Sequence, residues 1–315
     1  MSEFNLIQQY FTRPTPQADL GVGDDAALVR ITEGNQLVVS TDMSVTGTHF
    51  FADTAPYNIG WKALAVNVSD MAAMGANPKW ATLAISLPEV NQAWLAEFSR
   101  GFFACADAFN VDLIGGDTTR GPLNISVTIL GEVPTGKALK RSGAQLGDDI
   151  WVSGQLGSAA LGLAHLREKV QLKNELDICL KALNTPSPRN ALGLALRGIA
   201  TSCIDISDGL LADLGHILKA SNLGAMIDLE KIPCIELLKN NLDYSQFQEL
   251  ILAGGDDYEL CFTAPKSKRE DINNLSKQLN LLISFIGKTR IDTRLQADYK
   301  NNPIILLKQG FDHFG

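Results

Sequence analysis

Carboxylates beside glycines recur along this chain, and they stand where apolar segments begin or end. The first set, Gly21–Asp25, precedes the apolar run Ala26–Ile31. Glycine permits a tight turn and aspartate has a short side chain, so each such turn presents oxygen atoms at a defined place. The pattern returns at Gly115–Asp117, Ser207–Gly209 and Gly254–Asp257, with single acids at Asp42 and Asp70. One such pair is commonly a plain turn, but a fold that gathered all of them would need cations, because like charges repel.

Segments with strand-like and helix-like patterns alternate in both halves of the chain, which predicts mixed α/β layering. Strands are expected at Ala27–Ile31 and Leu37–Thr41, with Asp42 directly after the second. A third predicted strand, Val111–Ile114, ends in Gly115–Asp117. Helices are expected at Asn58–Ala73, at Gln92–Phe109 and at Gly209–Ser221, which Asp208 is expected to cap.

The length of 315 residues is sufficient for two domains. A basic, glycine-containing stretch, Pro134–Gly147, interrupts the alternating pattern near the middle of the chain. We therefore predict an N-terminal domain over residues 1–136, a linker over 137–148 and a C-terminal α/β domain over 149–315.

Charge and composition exclude several classes of protein. The net charge is −8 and the pI is about 5.1, which argues against a nucleic-acid partner. The five cysteines are far apart in apolar contexts, which is typical of reduced thiols in a cytoplasmic protein. The start of the chain resembles no signal peptide, and the longest uncharged run is too short and too polar to cross a membrane. We expect a soluble cytoplasmic protein.

Two common phosphate-binding motifs are only partly present in the sequence. Gly131–Ala138 reads GEVPTGKA, and alanine stands where the hydroxyl that holds Mg²⁺ in a P-loop should be. Gly21–Gly23 lacks the third glycine of a dinucleotide-binding turn. Neither a P-loop nor a dinucleotide-binding turn is predicted.

Three further features have both a plain interpretation and a functional one. Ser40–Asp42 offers three oxygen donors in a row, or simply a strand terminus. Arg141 is a solvated charge in a linker, or a guanidinium that clamps phosphate oxygens. His49 is an ordinary loop histidine, or a ligand contact. The residues alone leave these alternatives open.

Eight short motifs stand in a fixed order along the chain. They read GVGDDAA at Gly21–Ala27, STD with GTHF at Ser40–Phe50, KALAVNVSDMAAMGA at Lys62–Ala76, LIGGDTTRG at Leu113–Gly121, RSGAQLG at Arg141–Gly147, IDISDGLL at Ile204–Leu211, GGDDYEL at Gly254–Leu260 and FDHF at Phe311–Phe314. In this order they closely resemble the motifs of the thiamine-monophosphate kinase family, within the aminoimidazole-ribonucleotide synthetase-like superfamily. The resemblance covers almost the whole chain and is far more specific than any single motif.

The resemblance implies a fold and a set of site residues. The N-terminal sheet domain would pair with its twin in a homodimer, and ATP would bind in the cleft beside the C-terminal α/β domain. Ligands of several Mg²⁺ ions would be Asp25, Ser40, Thr41, Asp42, Asp70, Asp117, Asp205 and Asp208, with Asp42, Asp70 and Asp117 as the catalytic core. ATP contacts would be Gly116, Asp117, Arg141 and Ser207, and substrate contacts would be His49, Asp256 and Phe311. Asp256 stands where glutamate is usual in the family, and Phe311 where tyrosine or tryptophan is common.

The implied reaction is phosphoryl transfer from ATP to thiamine monophosphate, which gives thiamine diphosphate and ADP in thiamine biosynthesis. Two alternatives remain open at this point. Another ATP-dependent enzyme of the superfamily, of the purine-pathway synthetase or hydrogenase maturation type, would share the fold. A non-catalytic nucleotide-binding module would share it too, but would be expected to have lost its metal ligands.

Overall fold

The computed structural model describes residues 2–236, 238, 244–300, 302–304 and 310. The chain forms two compact units. Unit 1 comprises Met1–Met71 and Ala76–Gly136, and unit 2 comprises Ala72–Gly75 and Lys137–Gly315. Each unit contains one sheet together with helices, which confirms the predicted α/β class.

Unit 1 is built on a four-stranded sheet. Its elements are α1 (Glu3–Tyr10), β1 (Asn35–Val45), α2 (Pro56–Ala73), β2 (Asn77–Leu87), α3 (Gln92–Phe109), β3 (Asp112–Arg120) and β4 (Asn124–Pro134). The strand order is β1-β4-β2-β3, in which β4 is antiparallel to both neighbours and β2 and β3 are parallel. Parallel neighbours need a crossover, and α3 supplies it.

Helices α2 and α3 approach each other closely because glycines stand at their crossing. A Cβ atom on Gly60 of α2 would lie 2.1 Å from the Phe98 carbonyl oxygen, and one on Gly101 of α3 would lie 1.9 Å from the Tyr57 carbonyl oxygen. Either contact would force the helices apart. Beneath them the unit's core includes fully buried Trp80 and other large apolar side chains: Phe98, Phe102, Leu64, Met71, Leu95, Ile125 and Ile129.

Two predictions about strand positions in unit 1 were wrong. Ala27–Ile31 forms no strand, and Leu28 makes only an isolated bridge to Leu20. Asp42 does not follow its strand but lies inside β1, opposite Val127 of β4. The strand continues because all eleven of its residues pair with β4, and such pairing does not depend on the local apolar pattern that defined the predicted end.

Unit 2 contains a larger mixed sheet. Its elements are β5 (Asp149–Ser153), α4 (Ser158–Leu166), α5 (Leu176–Asn184), α6 (Asn190–Ala195), β6 (Ser202–Asp205), α7 (Leu210–Ser221), β7 (Gly224–Asp228), α8 (Tyr244–Leu252), β8 (Leu260–Ala264), α9 (Arg269–Leu279), β9 (Ile283–Arg290), β10 (Leu295–Tyr299) and β11 (Asn302–Ile304). The seven strands lie in the order β11-β10-β7-β9-β5-β8-β6. Only β7 and β10 pair in parallel among these neighbours.

The segment over residues 137–148 lies in unit 2. Leu139 and Ala144 are buried there, and the Lys140 carbonyl accepts a hydrogen bond of 2.9 Å from the Cys203 backbone N–H. The segment thus packs beside the start of β6 and leads directly into β5. Across the described residues, we find no helix that combines the length and the apolarity needed to cross a bilayer.

Candidate active site

Strand β1 and helix α2 bring three of the predicted residues to one face of the first sheet. Side chains alternate between faces along a strand, so those of Ser40 and Asp42 project to the same side. The Ser40 hydroxyl donates a hydrogen bond to Oδ2 of Asp70 on α2, which makes this the helix-covered face. All three residues are half-buried, and together they offer one hydroxyl and two carboxylates. Such oxygen donors suit a hard cation.

Thr41 and Asp117 lie on the opposite face of the same sheet. Through the pairing of β3 with β2, β2 with β4 and β4 with β1, Asp117 lies in register with Met43 of β1. Asp42 is the neighbour of Met43 along β1, so its side chain projects to the other face. Residues in register share a face, so Asp117 and Asp42 project from opposite sides of the sheet. Thr41 and Asp117 are both exposed, and Thr41 Oγ1 lies 2.8 Å from Thr128 Oγ1.

The glycine before Asp117 has a backbone that no other residue adopts easily. Gly116 has a φ of +152°, and a Cβ atom there would lie 1.8 Å from the Leu83 carbonyl oxygen of β2. Asp117 was expected just after a strand, but it lies inside β3. The register between β2 and β3 shifts between Ala81 and Thr82 and then continues to Arg120, so the chain stays extended through the motif.

Asp25 stands in an exposed turn outside the helices and strands of unit 1. The preceding Gly23 has a φ of +129°, and the Asp25 backbone N–H donates a 2.9 Å hydrogen bond to Oδ1 of Asp24. The turn thus forms as the sequence predicts, with both carboxylates exposed.

His49 follows β1 in a short loop that returns toward the strand's end. Its Nδ1 accepts a 3.0 Å hydrogen bond from the Val45 backbone N–H. A nitrogen that accepts cannot carry the proton, so the neutral ring has its proton on Nε2. The ring orientation is therefore defined by the backbone.

In unit 2, the turn Ser207–Gly209 is held by a residue that sequence reasoning missed. Oδ2 of Asp213 accepts hydrogen bonds from the backbone N–H groups of Ser207, Asp208 and Gly209 at 3.1, 3.1 and 3.2 Å. The prediction that Asp208 caps α7 was wrong: the N-cap residue is Gly209, whose φ is +117°. Asp213 performs this role from within the helix because its side chain reaches back to the preceding turn.

Acidic side chains are crowded at this end of α7. Burial, followed by the negative charges of Asp205 and Asp208, raises the pKa of Asp213 to about 7, despite the backbone hydrogen bonds that lower it. Asp205, at the end of β6, is itself buried. A set of carboxylates that disfavour one another's charge is the electrostatic setting that a cation relieves.

The loop Gly254–Tyr258 lies against the same turn. The Asp256 backbone N–H donates to the Ser207 carbonyl oxygen at 2.8 Å, and a Cβ atom on Gly255 would lie 2.4 Å from that oxygen. Ser207, Asp208 and Asp256, which are remote in sequence, therefore lie side by side in unit 2. Their adjacency depends on this backbone contact, which no local pattern reveals.

Arg141 is an exposed side chain in a loop that is fixed to α7. The backbone N–H groups of Gly143 and Ala144 each donate to Oγ of Ser221 at 3.2 Å. Arg141 thus extends from an anchored loop. Phe311, the third predicted substrate contact, lies outside the described residues.

A buried ion pair near the acidic loop was also missed. Glu259 is 5% exposed, and the Arg189 guanidinium binds both of its oxygens, with 2.7 Å between Nε and Oε2. Ser153 Oγ adds a hydrogen bond of 2.5 Å to the same carboxylate. Arg189 follows the proline-rich break at 186–188, where no periodic signal exists, so only the fold reveals its partner.

No group of three or more His, Cys, Asp or Glu side chains is close enough to form a metal site by itself, as far as the described residues go. The predicted ligands instead form smaller sets in each unit. In unit 1 these are the two carboxylates and the hydroxyl on the helix-covered face, and in unit 2 they are Asp205 and Asp208 near Asp213.

Comparison with known proteins defines the class first. Residues 23–133 match the family model of the AIR synthase related protein, N-terminal domain, and residues 145–300 match that of the AIR synthase related protein, C-terminal domain. The chain therefore contains both the N-terminal and the C-terminal domain of AIR synthase related proteins, one after the other. Within that class, the chain belongs to the thiamine-monophosphate kinase family.

Relatives that match over almost their whole length support the assignment to this family. The chain is 44% identical to the thiamine-monophosphate kinase of Salmonella typhimurium, over 99% of this chain and 98% of the relative. The crystal structure of the thiamine-monophosphate kinase from Stenotrophomonas maltophilia K279a is similar with a TM-score of 0.88 and 44% identity, over 96% of this chain and 98% of that one. The structure of AaThiL complexed with AMPPCP and TMP is similar with a TM-score of 0.78 and 28% identity, over 99% and 96% of the two chains.

Proposed function

We propose that this chain transfers the γ-phosphoryl group of ATP directly to the phosphate of thiamine monophosphate, which gives thiamine diphosphate and ADP. The observation that carries the proposal is the 44% identity to a thiamine-monophosphate kinase across 99% of the chain. The solved AaThiL complex with AMPPCP and TMP supports ATP and thiamine monophosphate as the two substrates.

The donor chemistry of the predicted ligands fits Mg²⁺, since every one of them offers oxygen. Ser40, Asp42 and Asp70 would hold Mg²⁺ on the helix-covered face of unit 1, and Asp205 and Asp208 would each offer a carboxylate to Mg²⁺ in unit 2. The side chains of Asp25, Thr41 and Asp117 are exposed. Their part in the proposal rests on the family motifs. Bound Mg²⁺ supplies neutralising charge for the phosphates of donor and acceptor.

The remaining residues would bind and orient the two substrates. Arg141, from its anchored loop, would form paired hydrogen bonds with phosphate oxygens, while Gly116, Asp117 and Ser207 would contact the nucleotide. His49 and Asp256 would contact thiamine monophosphate, as would Phe311. The Val45 backbone N–H orients the His49 ring, and the Ser207 carbonyl oxygen fixes the backbone of Asp256.

The acceptor phosphate needs no base on the protein. A phosphomonoester has a second pKa of about 6, so its oxygen is already an anion at neutral pH. The barrier is then the repulsion between two anions that must approach in line. Direct transfer predicts that the protein never carries the phosphoryl group. Incubation with γ-labelled ATP alone should leave the protein unlabelled, and stable label on the chain would contradict this step.

We also propose a cytoplasmic homodimer. One face of β1 bears apolar side chains that are exposed in a single copy: Leu37, Val39 and Met43, at 43%, 55% and 55%. The sheet of a second copy would cover this face, as the family resemblance implies. Thr41 and Asp117 lie on the same face, so in the proposed dimer they would bind their ligands at the interface between the copies. Sedimentation should show a dimer for the wild type and a larger monomer fraction for Val39→Lys, and a monomeric wild type would contradict the proposal.

A coupled assay of ADP release separates the candidate functions. With thiamine monophosphate we expect equal amounts of ADP and thiamine diphosphate, and with thiamine no diphosphate. A synthetase or maturation enzyme of the superfamily would release ADP only with amide or carbamoyl acceptors. A non-catalytic module would bind ATP and leave it intact when thiamine monophosphate is added.

A further inference from the structure

The loop Gly254–Tyr258 contains two non-glycine residues in left-handed conformations. Asp256 has a φ of +69° and Tyr258 a φ of +50°. A bulky side chain rarely adopts this region, because its Cβ atom crowds the following carbonyl. Backbone strain of this kind persists only where surrounding contacts hold it, and it is concentrated at functional sites.

Backbone hydrogen bonds hold both residues against the turn that precedes α7. The Asp256 N–H donates to the Ser207 carbonyl oxygen and the Tyr258 N–H to the Ile206 carbonyl oxygen, each at 2.8 Å. The Glu259 carbonyl oxygen accepts from the Ile206 N–H at 2.7 Å, and the Glu259 side chain is fixed by Arg189. The loop is thus secured at its centre and at its end.

This conformation brings the two side chains together. The Tyr258 hydroxyl donates a hydrogen bond of 3.1 Å to Oδ1 of Asp256. In an ordinary extended segment, residues two apart would share a face without such a bond, whereas here two left-handed residues curl the backbone so that the side chains meet. The hydroxyl therefore restricts the rotation of the Asp256 carboxyl group.

We propose that Tyr258 is a positioning residue of the acceptor site, which fixes the Asp256 carboxylate in the orientation that binds the thiamine moiety. The inference rests on the proposed function, in which Asp256 contacts thiamine monophosphate. An aspartate side chain has only two rotatable bonds, χ1 and χ2, so a hydrogen bond to Oδ1 restricts both and limits where the second oxygen can lie. Pre-orientation lowers the entropy lost when the acceptor binds. Tyr258 acts only through Asp256 and touches no reacting atom.

The test compares Tyr258→Phe with the wild type, and Tyr57→Phe serves as the matched control because Tyr57 lies on α2 against Arg100. We expect Tyr258→Phe to raise KM for thiamine monophosphate about tenfold, because the loss of one hydrogen bond to a charged group typically weakens binding by about that factor. KM for ATP and kcat should stay within about twofold, because the interaction concerns one substrate only. Tyr57→Phe should change none of these constants.

A second variant separates an orienting role from a structural one. If Tyr258 acts through Asp256, adding Tyr258→Phe to Asp256→Asn should raise KM for thiamine monophosphate no further than Asp256→Asn alone. A binding readout should agree: in the presence of AMPPCP, Tyr258→Phe should need about ten times more thiamine monophosphate to raise the melting temperature equally.

Four outcomes overturn the role of Tyr258. These are an unchanged KM for thiamine monophosphate, an equal rise in both KM values, a loss of kcat alone, or fully additive effects in the double variant. A wild-type protein that binds thiamine monophosphate without phosphorylating it overturns the proposed function, and the melting-temperature comparison still decides whether Tyr258 orients the bound acceptor. A wild type that does not bind it overturns both.

Discussion

The hydroxyl of Ser40 donates a hydrogen bond to Oδ2 of Asp70, and this contact joins β1 to α2 across the helix-covered face of the first sheet. The two residues are thirty positions apart in sequence. Asp42 projects from the same face two residues along β1. Two carboxylates and a hydroxyl are thus held by a strand and a helix rather than by loops, which favours a rigid donor set for a cation.

Gly116→Ala should disrupt the motif that carries Asp117. The new Cβ would lie 1.8 Å from the Leu83 carbonyl oxygen, and the φ of +152° is itself unfavourable for alanine. We expect a loss of at least about 2 kcal/mol in the free energy of unfolding in urea. Gly115→Ala is the matched control, because nothing lies within 4 Å of its added Cβ. Equal stability of the two variants would contradict this account of β3.

Arg189 and Glu259 should contribute to the free energy of unfolding as a coupled pair. Glu259 is almost fully buried, so Arg189→Met leaves a carboxylate without its cation and should destabilise the protein by about 3–5 kcal/mol. Replacing both residues by methionine removes the buried charges together and should cost less than the sum of the single changes. Denaturant unfolding of the three variants measures this coupling. Additive effects would mean that the pair does not act as a unit.

Asp257 should make stability dependent on pH. Burial raises the pKa of Asp257 well above its usual value, and the negative charges of Glu259 and Asp256 raise it further. The hydrogen bonds from the Gly157 backbone N–H lower this pKa, but by less than burial raises it. A carboxyl group whose folded pKa is raised contributes stability at pH values below its unfolded pKa of about 3.9, and this contribution is lost as the pH rises through the folded pKa.

The comparison that reveals this effect is the wild type against Asp257→Asn, unfolded in urea from about pH 4 to pH 8. The free energy of unfolding of the wild type should fall with rising pH relative to that of the variant. The slope of the difference cannot exceed about 1.4 kcal/mol per pH unit, the limit for one proton. Parallel curves would show that Asp257 keeps an ordinary pKa in the folded state.

Much of the fold could be predicted because it depends on local periodicity. Helix α3 spans Gln92–Phe109, the range that its apolar spacing predicts. The turn at Gly23 was visible because only glycine adopts such a backbone readily, whereas Gly116, which also has a positive φ, lies within the extended strand β3. By contrast, Asp42 and Asp117 lie inside strands because pairing with neighbouring strands keeps the chain extended, and that pairing joins distant residues.

The parts of the candidate site that escaped prediction share this cause. Asp213 stabilises the turn at Ser207–Gly209 from within a helix, where an acid looks like an ordinary surface residue. Arg189 meets Glu259 seventy positions away. The faces of the first sheet, which place Asp42 and Asp117 on opposite sides, follow from strand order and register, and neither can be derived from the motifs alone.

The most direct test of the account is the turnover of thiamine monophosphate by Asp42→Asn. Asp107→Asn is the control, since Asp107 is an exposed carboxylate that pairs with Arg13. If Asp42 holds the metal that makes transfer between two anions possible, formation of thiamine diphosphate should fall by at least about a thousandfold with an unchanged unfolding midpoint. The control should keep the wild-type rate. A folded Asp42→Asn protein with near-normal turnover would contradict the central claim.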